Sequence, residues 1–133
     1  MSLMRVESKL SPELEQLVRD VIGACLAVHR ELGPGMSESV YSKAVCIELT
    51  TRGFPFELEK SIPIRYRGQL LCHQRLDLFV DGRLVLEIKS VEQIHPVHVA
   101  QTVSYLRVTG SEVGLVVNFN VPILKQGIRR VVL

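Results

Sequence analysis

The sequence predicts an α/β sandwich in which helices pack on a mixed β-sheet, in the approximate order ααββββαββ. Three observations carry this. The first fifty residues repeat their apolar positions at helical spacing; from Phe54 the pattern changes to short alternating or continuous apolar runs; and one more helical stretch separates two strand-like runs, Leu84–Lys89 and Val113–Asn120. A connection of that length can carry the chain across a sheet to a parallel neighbour.

The elements follow in order. Ser11-Pro12-Glu13-Leu14-Glu15 offers an N-cap, a proline at the first helical position and early acids, and Leu14, Leu17, Val18, Val21, Ile22, Cys25 and Leu26 continue at helical period. This predicts a helix from about Pro12 to Leu32, stopped by Gly33-Pro34-Gly35. Ser37 caps a second helix carrying Val40, Ala44, Ile47 and Leu49, which ends at Arg52-Gly53. The runs FPFELEK, SIPIRYRG, QLLCHQRLDLFV and RLVLEIKS then read as a meander of three or four strands. His95-Pro96 opens a third helix with Val99, Val103 and Leu106, ending near Thr109-Gly110. VGLVVNFN reads as a buried strand and IRRVVL as the last one.

A chain of 133 residues, 47% hydrophobic and 23% charged, fits one domain spanning residues 1–133. The formal charge of +2 is too small to argue for nucleic-acid binding by itself. Cys25, Cys46 and Cys72 form no CxxC pair and are odd in number, which predicts free thiols serving as small core residues in a reducing cytoplasm. No segment approaches the roughly 18 apolar residues of a membrane span, so no membrane partner is expected. Met1-Ser2-Leu3 ahead of Met4 reads as a cloning remnant.

Asp77, Glu87 and Lys89 form a D-x9-E-x-K pattern across two apolar strand-like runs, where unpaired ions are costly. Alternation puts Glu87 and Lys89 on one side of their strand. Asp77 joins them only if the turn at Asp81-Gly82 has odd length, such as a three-residue loop with Gly82 in the left-handed region; an even loop would put the acids on opposite faces. Two carboxylates are hard oxygen donors suited to Mg²⁺ or Mn²⁺, and a lysine beside them can position water or meet a phosphate oxygen. The competing reading is an Asp-Lys-Glu ion-pair cluster on a solvated sheet face. Glu38 and Tyr41 share a face of helix two, and His98, Gln101 and Tyr105 form a stripe on helix three. If both helices pack on the sheet, Glu38, Gln101 and Tyr105 can converge on the acids. Taken together, Glu38, Asp77, Glu87 and Lys89 leave a local charge that one divalent cation would neutralise.

On these residues the chain resembles the GxxExxY proteins of the PD-(D/E)xK nuclease-like superfamily. The name motif is Gly35, Glu38 and Tyr41; the core is Asp77, Glu87 and Lys89; the helix-three Gln-x3-Tyr is Gln101 and Tyr105. SYLRVTG, GLVVNFN and Lys125-x-Gly127-Ile128-x-Arg130 also look like later segments of that family, although Leu76 stands where the superfamily name has proline. The resemblance implies a restriction-endonuclease-like core, a mixed sheet flanked by helices. It implies metal held by Asp77 and Glu87, with Glu38 completing or orienting the shell. Lys89 would assist the attacking water, Gln101 would hold that lysine or a water, and Tyr105 would brace phosphate or the helix.

Other residues have plainer readings. His95 and His98 make an H-x2-H with no third ligand at zinc spacing, so a helix cap or surface role is expected for His95, with His98 near the pocket. His29 compensates a helix end or sits in the core; Asn118 and Asn120 mark a turn. Arg65, Arg67, Arg75, Lys125, Arg129 and Arg130 approach phosphates or simply protect strand edges. No glycine-rich phosphate loop or serine nucleophile elbow is present.

Two functions from different classes follow. One is a Mg²⁺-dependent (or Mn²⁺-dependent) nuclease whose partner is nucleic acid, DNA more than RNA. The other is a catalytically silent nuclease-like fold that binds nucleic acid or protein. A third, structural reading is a homodimer with Val113–Phe119 or Val131–Leu133 near the interface.

Overall fold

In the computed structural model, residues 9–133 are described; the Met1–Leu3 opening lies outside them. The elements are α1 (Pro12–Leu32), α2 (Glu38–Thr51), β1 (Phe56–Tyr66), β2 (Gln69–Val80), β3 (Leu84–Lys89), α3 (Pro96–Thr109), β4 (Val113–Asn118) and, after a short 3-10 turn, β5 (Ile128–Val132). The sheet has the order β1-β2-β3-β4-β5 and is antiparallel except for β3 and β4, which run parallel through α3.

Local chemistry sets the helix ends. The Ser11 hydroxyl accepts from the Leu14 N–H at 3.1 Å and Pro12 occupies the first turn of α1. Ser37 caps α2 in the same way, and Gly110 closes α3 in the left-handed region. The sheet separates two apolar clusters. One joins α1 and α2 to Leu78, Val80, Leu84, Leu86, Ile88 and the inward side of β4. The other joins α3, through Tyr105 and Leu106, to Ile62, Leu76, Phe79, Val85 and Val116. The result is a layered α/β arrangement with a mixed sheet between helices.

Three expectations change. FPFELEK and SIPIRY are one eleven-residue strand, so the meander has three strands and the order is ααβββαββ. Pro63 does not break β1 because β1 is an edge strand, where a missing N–H costs no inner ladder bond. Of the thiols only Cys25 is a core residue: Cys46 is half-buried and Cys72 is exposed, because β2 runs past the rest of the sheet and has only β1 beside it there. Val113–Phe119 cannot form an interface, since β4 lies between β3 and β5 with every residue buried. Val132 and Leu133, beside the outer edge, are exposed. No helix among the described residues is long and apolar enough to cross a membrane.

Gly127 marks the tightest approach of the β4–β5 connection: a Cβ there would sit 2.2 Å from the Asn118 carbonyl oxygen. Backbone cannot swing aside as a side chain can, so Gly127→Ala should destabilise the protein by about 2–3 kcal/mol, read as a lowered urea midpoint at unchanged slope.

Candidate functional site

The site forms where β2 and β3 part. Their ladder runs through Val80↔Leu84, Phe79↔Val85 and Leu78↔Leu86, which places Asp77 opposite Glu87. The connection is the three-residue loop Asp81-Gly82-Arg83, an odd length as the sequence requires, set one residue later than the Val80-Asp81-Gly82 expectation. Asp81 and Gly82 both take positive φ, 53° and 63°.

Beyond Leu78↔Leu86, side chains take over the ladder. The Asp77 N–H donates to Glu87 Oε2 at 2.7 Å, and the Ile88 N–H donates to Asp77 Oδ2, also at 2.7 Å. The charge of each carboxyl is felt by the other. Glu87 is 3% exposed, so the pair is no ion cluster on a solvated face. Among the described residues Lys89 makes no ion pair with either acid.

Burial dominates the protonation of the pair. It pushes Glu87 up to about 8, helped by the Asp77 charge and opposed by the Asp77 N–H and Lys89. Asp77 is also raised, by burial first, against the Ile88 N–H and the Lys89 charge; Glu38 raises it further. Two adjacent carboxyls cannot both ionise cheaply, so at neutral pH the pair retains a proton in the absence of a cation.

Glu38 opens α2, is exposed, and lines a cleft of about 260 Å³ with Ser42, Lys43, Glu59 and Asp77. Glu38 and Tyr41 differ in burial despite their spacing: Tyr41 is fully buried, stacked on Phe119 with ring centroids 4.5 Å apart. Its hydroxyl donates to the Gly33 carbonyl at 2.5 Å and accepts from the Met36 N–H at 3.1 Å, fixing the loop that delivers Glu38. The Ser90 hydroxyl, one residue past Lys89, donates to the Met36 carbonyl at 2.6 Å and ties that loop to the end of β3.

On α3, Tyr105 is buried against the acids; burial, then Glu87 and Asp77, push its hydroxyl up to about 12. Gln101 is exposed, lines an outer cleft with Gln74, and makes no side-chain hydrogen bond to Lys89 or to the acids among the described residues. His98 Nδ1 accepts from the His95 N–H at 3.0 Å, a helix-start contact. Its pKa is lowered by burial, then by Lys89 and His95, which places it within electrostatic reach of the site.

Sequence reasoning missed Asn118, taken for a turn residue. It is 1% exposed, accepts from the Val91 N–H at 3.0 Å and donates to the Val91 carbonyl at 2.9 Å, clamping the segment just after Lys89. An asparagine ending an otherwise unbroken apolar strand was the available signal. His29 plays a similar bracing part through a 2.8 Å bond to the Val121 carbonyl.

The fit to a cation rests on two adjacent hard carboxyls, Glu87 buried and Asp77 half-buried at the cleft, which share a proton that a divalent ion would displace. Among the described residues no group of three or more His, Cys, Asp or Glu side chains is placed to hold a metal ion, so the candidate donors are the two carboxyls alone. Two carboxylates with waters completing the shell suit Mg²⁺ or Mn²⁺, which usually keep several waters.

A family model described as the PD-(D/E)XK nuclease superfamily matches residues 15–131. Nucleases of that superfamily generally use divalent metal ions. No curated protein and no solved structure matches the chain.

Two outcomes follow. Because the folded pair binds protons more tightly than the unfolded chain, its contribution to stability falls as pH rises from the ordinary 4.5 of glutamate to about 8. Glu87→Gln, which imitates the protonated acid, should therefore stabilise the metal-free protein at pH 8 by on the order of 2 kcal/mol and much less at pH 5, measured by thermal melts across pH. Tyr41→Phe leaves Gly33 and Met36 without their shared partner and should cost about 1–2 kcal/mol in urea denaturation.

Proposed function

Because the chain belongs to the PD-(D/E)XK nuclease superfamily, we propose that the acidic pair is the centre of a metal-dependent nuclease hydrolysing phosphodiester bonds in nucleic acid, DNA more than RNA. The observation that carries this is the Asp77–Glu87 exchange, a buried and a half-buried carboxyl that retain a proton until a cation replaces it, with Lys89 beside them. Gly35, Glu38 and Tyr41 support assignment to the GxxExxY group.

In this reading Asp77 and Glu87 hold Mg²⁺ or Mn²⁺, with Glu38 at the open side of the cleft. The bound ion would neutralise developing phosphate charge and acidify water. Lys89, which makes no ion pair among the described residues, donates to the attacking water or to a phosphate oxygen. Tyr105 stays protonated at any physiological pH and serves as a hydrogen-bond donor beside the acids. Gln101, set in the outer cleft, is placed to contact the strand rather than the lysine. Three unpaired thiols fit a reducing compartment, and we place the protein in the cytoplasm.

A second reading, a silent fold that binds without turnover, draws on one observation: Glu38 is exposed and no third acid or imidazole closes on the pair among the described residues. Homodimerisation through the exposed edge at Val132–Leu133 belongs with that reading.

Lys89→Ala should bind Mn²⁺ as the wild type does while losing roughly 10²–10⁴-fold in the cleavage rate of labelled single-stranded, duplex or branched DNA or RNA. Full activity in that variant would remove the mechanism. Glu87→Gln separates the two readings: a nuclease loses metal and turnover, whereas a binding module keeps its affinity.

A further inference from the structure

The net charge of the chain hides a local basic end. The ribbon over residues 60–76 and helix α3 over residues 96–109 contain Lys60, Arg65, Arg67, Arg75 and Arg107 and no Asp or Glu; Lys60 and Arg75 are ion-paired with Glu57 and Glu59 at the base of the ribbon, which leaves Arg65 and Arg67 as the cations of its outer end. The ribbon runs out past the sheet: β2 pairs with β3 only through Leu78–Val80, so from Gln69 to Leu76 β1 is the one strand beside it among the described residues, with α3 packed on one face. Its tip is a two-residue turn, Arg67-Gly68, with both residues at positive φ, 50° and 77°. Asn or Gly is favoured at the first of these positions, and an arginine there accepts backbone strain while projecting its charge from the tip. Neither Arg65 nor Arg67 makes an ion pair among the described residues.

Between ribbon and α3 lies an open cleft of about 580 Å³, lined by Ile64, Gln74, Val97, Ala100, Gln101 and Tyr105. That size lies within the roughly 300–1,000 Å³ range of sites for organic ligands. Its chemistry is mixed in a specific way: aliphatic walls carry two amides, and exposed arginines stand beyond. Tyr105 lines this cleft and lies within electrostatic reach of Glu87 and Asp77, although the acids themselves are not among the residues that line it.

We propose that the cleft between the β1–β2 ribbon and α3 receives unpaired bases of the substrate strand while Arg65 and Arg67 hold its phosphates, making strands with exposed bases the substrate class of this site. The proposal rests on the nuclease reading above and deepens it. A continuous duplex presents phosphates outward and keeps base faces stacked, so it offers nothing to Ile64, Val97 and Ala100. A single strand offers apolar base faces for those walls and base edges for the Gln74 and Gln101 amides, next to a phosphate backbone for the basic ribbon.

Fluorescence anisotropy in chelator tests this without cleavage or metal. A short single-stranded oligonucleotide and a blunt duplex of the same sequence are titrated with wild type, Ala100→Phe, which fills the cleft from an exposed position, and the double variant Arg65→Ala/Arg67→Ala. The single strand should bind about tenfold more tightly than the duplex, and Ala100→Phe should erase that preference with its melting temperature unchanged. The double arginine variant should weaken both ligands and flatten the salt dependence. Equal or better duplex binding, or a preference untouched by Ala100→Phe, overturns the proposal. So does conversion of a dimer to a monomer by the ribbon variants without loss of oligonucleotide binding, which would assign the arm to a second copy of the chain. Cleavage assays on the same proteins keep the readings apart: activity that needs Lys89 but ignores both cleft variants sinks this proposal and leaves the nuclease, whereas strand-selective binding without any turnover sinks the nuclease and leaves the cleft.

Discussion

The exchange between Asp77 and Glu87 is the constraint on which the site and the shape of the sheet both depend. Each carboxyl accepts the N–H that a ladder carbonyl would otherwise take, Asp77 from Ile88 and Glu87 from Asp77 itself, both at 2.7 Å. Two inner strands can therefore separate without stranding buried donors. Below the exchange the ladder is regular and Leu78 faces the α1/α2 cluster; above it Leu76, of the same parity, packs in the α3 cluster. The change of side coincides with Asp77 and with Glu59 opposite it, which takes a φ of 51° and interrupts the ladder between β1 and β2. From that point the ribbon departs from the sheet.

This solution is expensive for the fold and useful for chemistry. Two adjacent carboxyls, one buried and one half-buried, repel as anions, and the pair answers by holding a proton. A cation is the other way to relieve the same repulsion, so the electrostatic cost of the empty pair becomes driving force for binding one. The surrounding frame keeps the geometry. Tyr41 fixes the loop before α2, Ser90 joins that loop to β3, and Asn118 holds the backbone after Lys89 from the neighbouring strand. None of the three touches the acids through these bonds; each limits where Glu38 or Lys89 can stand.

Much of this was legible in the sequence where the determinants are local or follow from parity. The bounds of α1 follow from Ser11, Pro12 and the Gly33-Pro34-Gly35 stop, which act within one turn of the chain. The facing of Asp77 and Glu87 follows from loop length, because the ladder is regular from Val80↔Leu84 to Leu78↔Leu86 and an odd loop sets the next pair, the two acids, opposite each other. What was not legible depends on neighbours. Pro63 looks like a break until β1 proves to be an edge, and Cys72 looks like a core residue until β2 outruns its partner β3. Tyr41 shares helical spacing with Glu38, yet only the position of Phe119 decides which of the two is buried. Net charge says nothing of Arg65 and Arg67, because only the register of β1 and β2 shows that they sit at the outer end of the ribbon while Glu57 and Glu59 pair with Lys60 and Arg75 at its base.

The most direct test of the account is a Mn²⁺ titration followed by electron paramagnetic resonance, comparing the wild type with Asp77→Asn. A paired-carboxyl centre takes up tightly one ion per chain, and the amide variant takes up none, since it removes one of the two anionic donors and leaves the fold with an isosteric side chain. Undiminished Mn²⁺ uptake by Asp77→Asn, or no tight uptake by the wild type, would contradict the claim that this exchange of carboxyls is a metal centre.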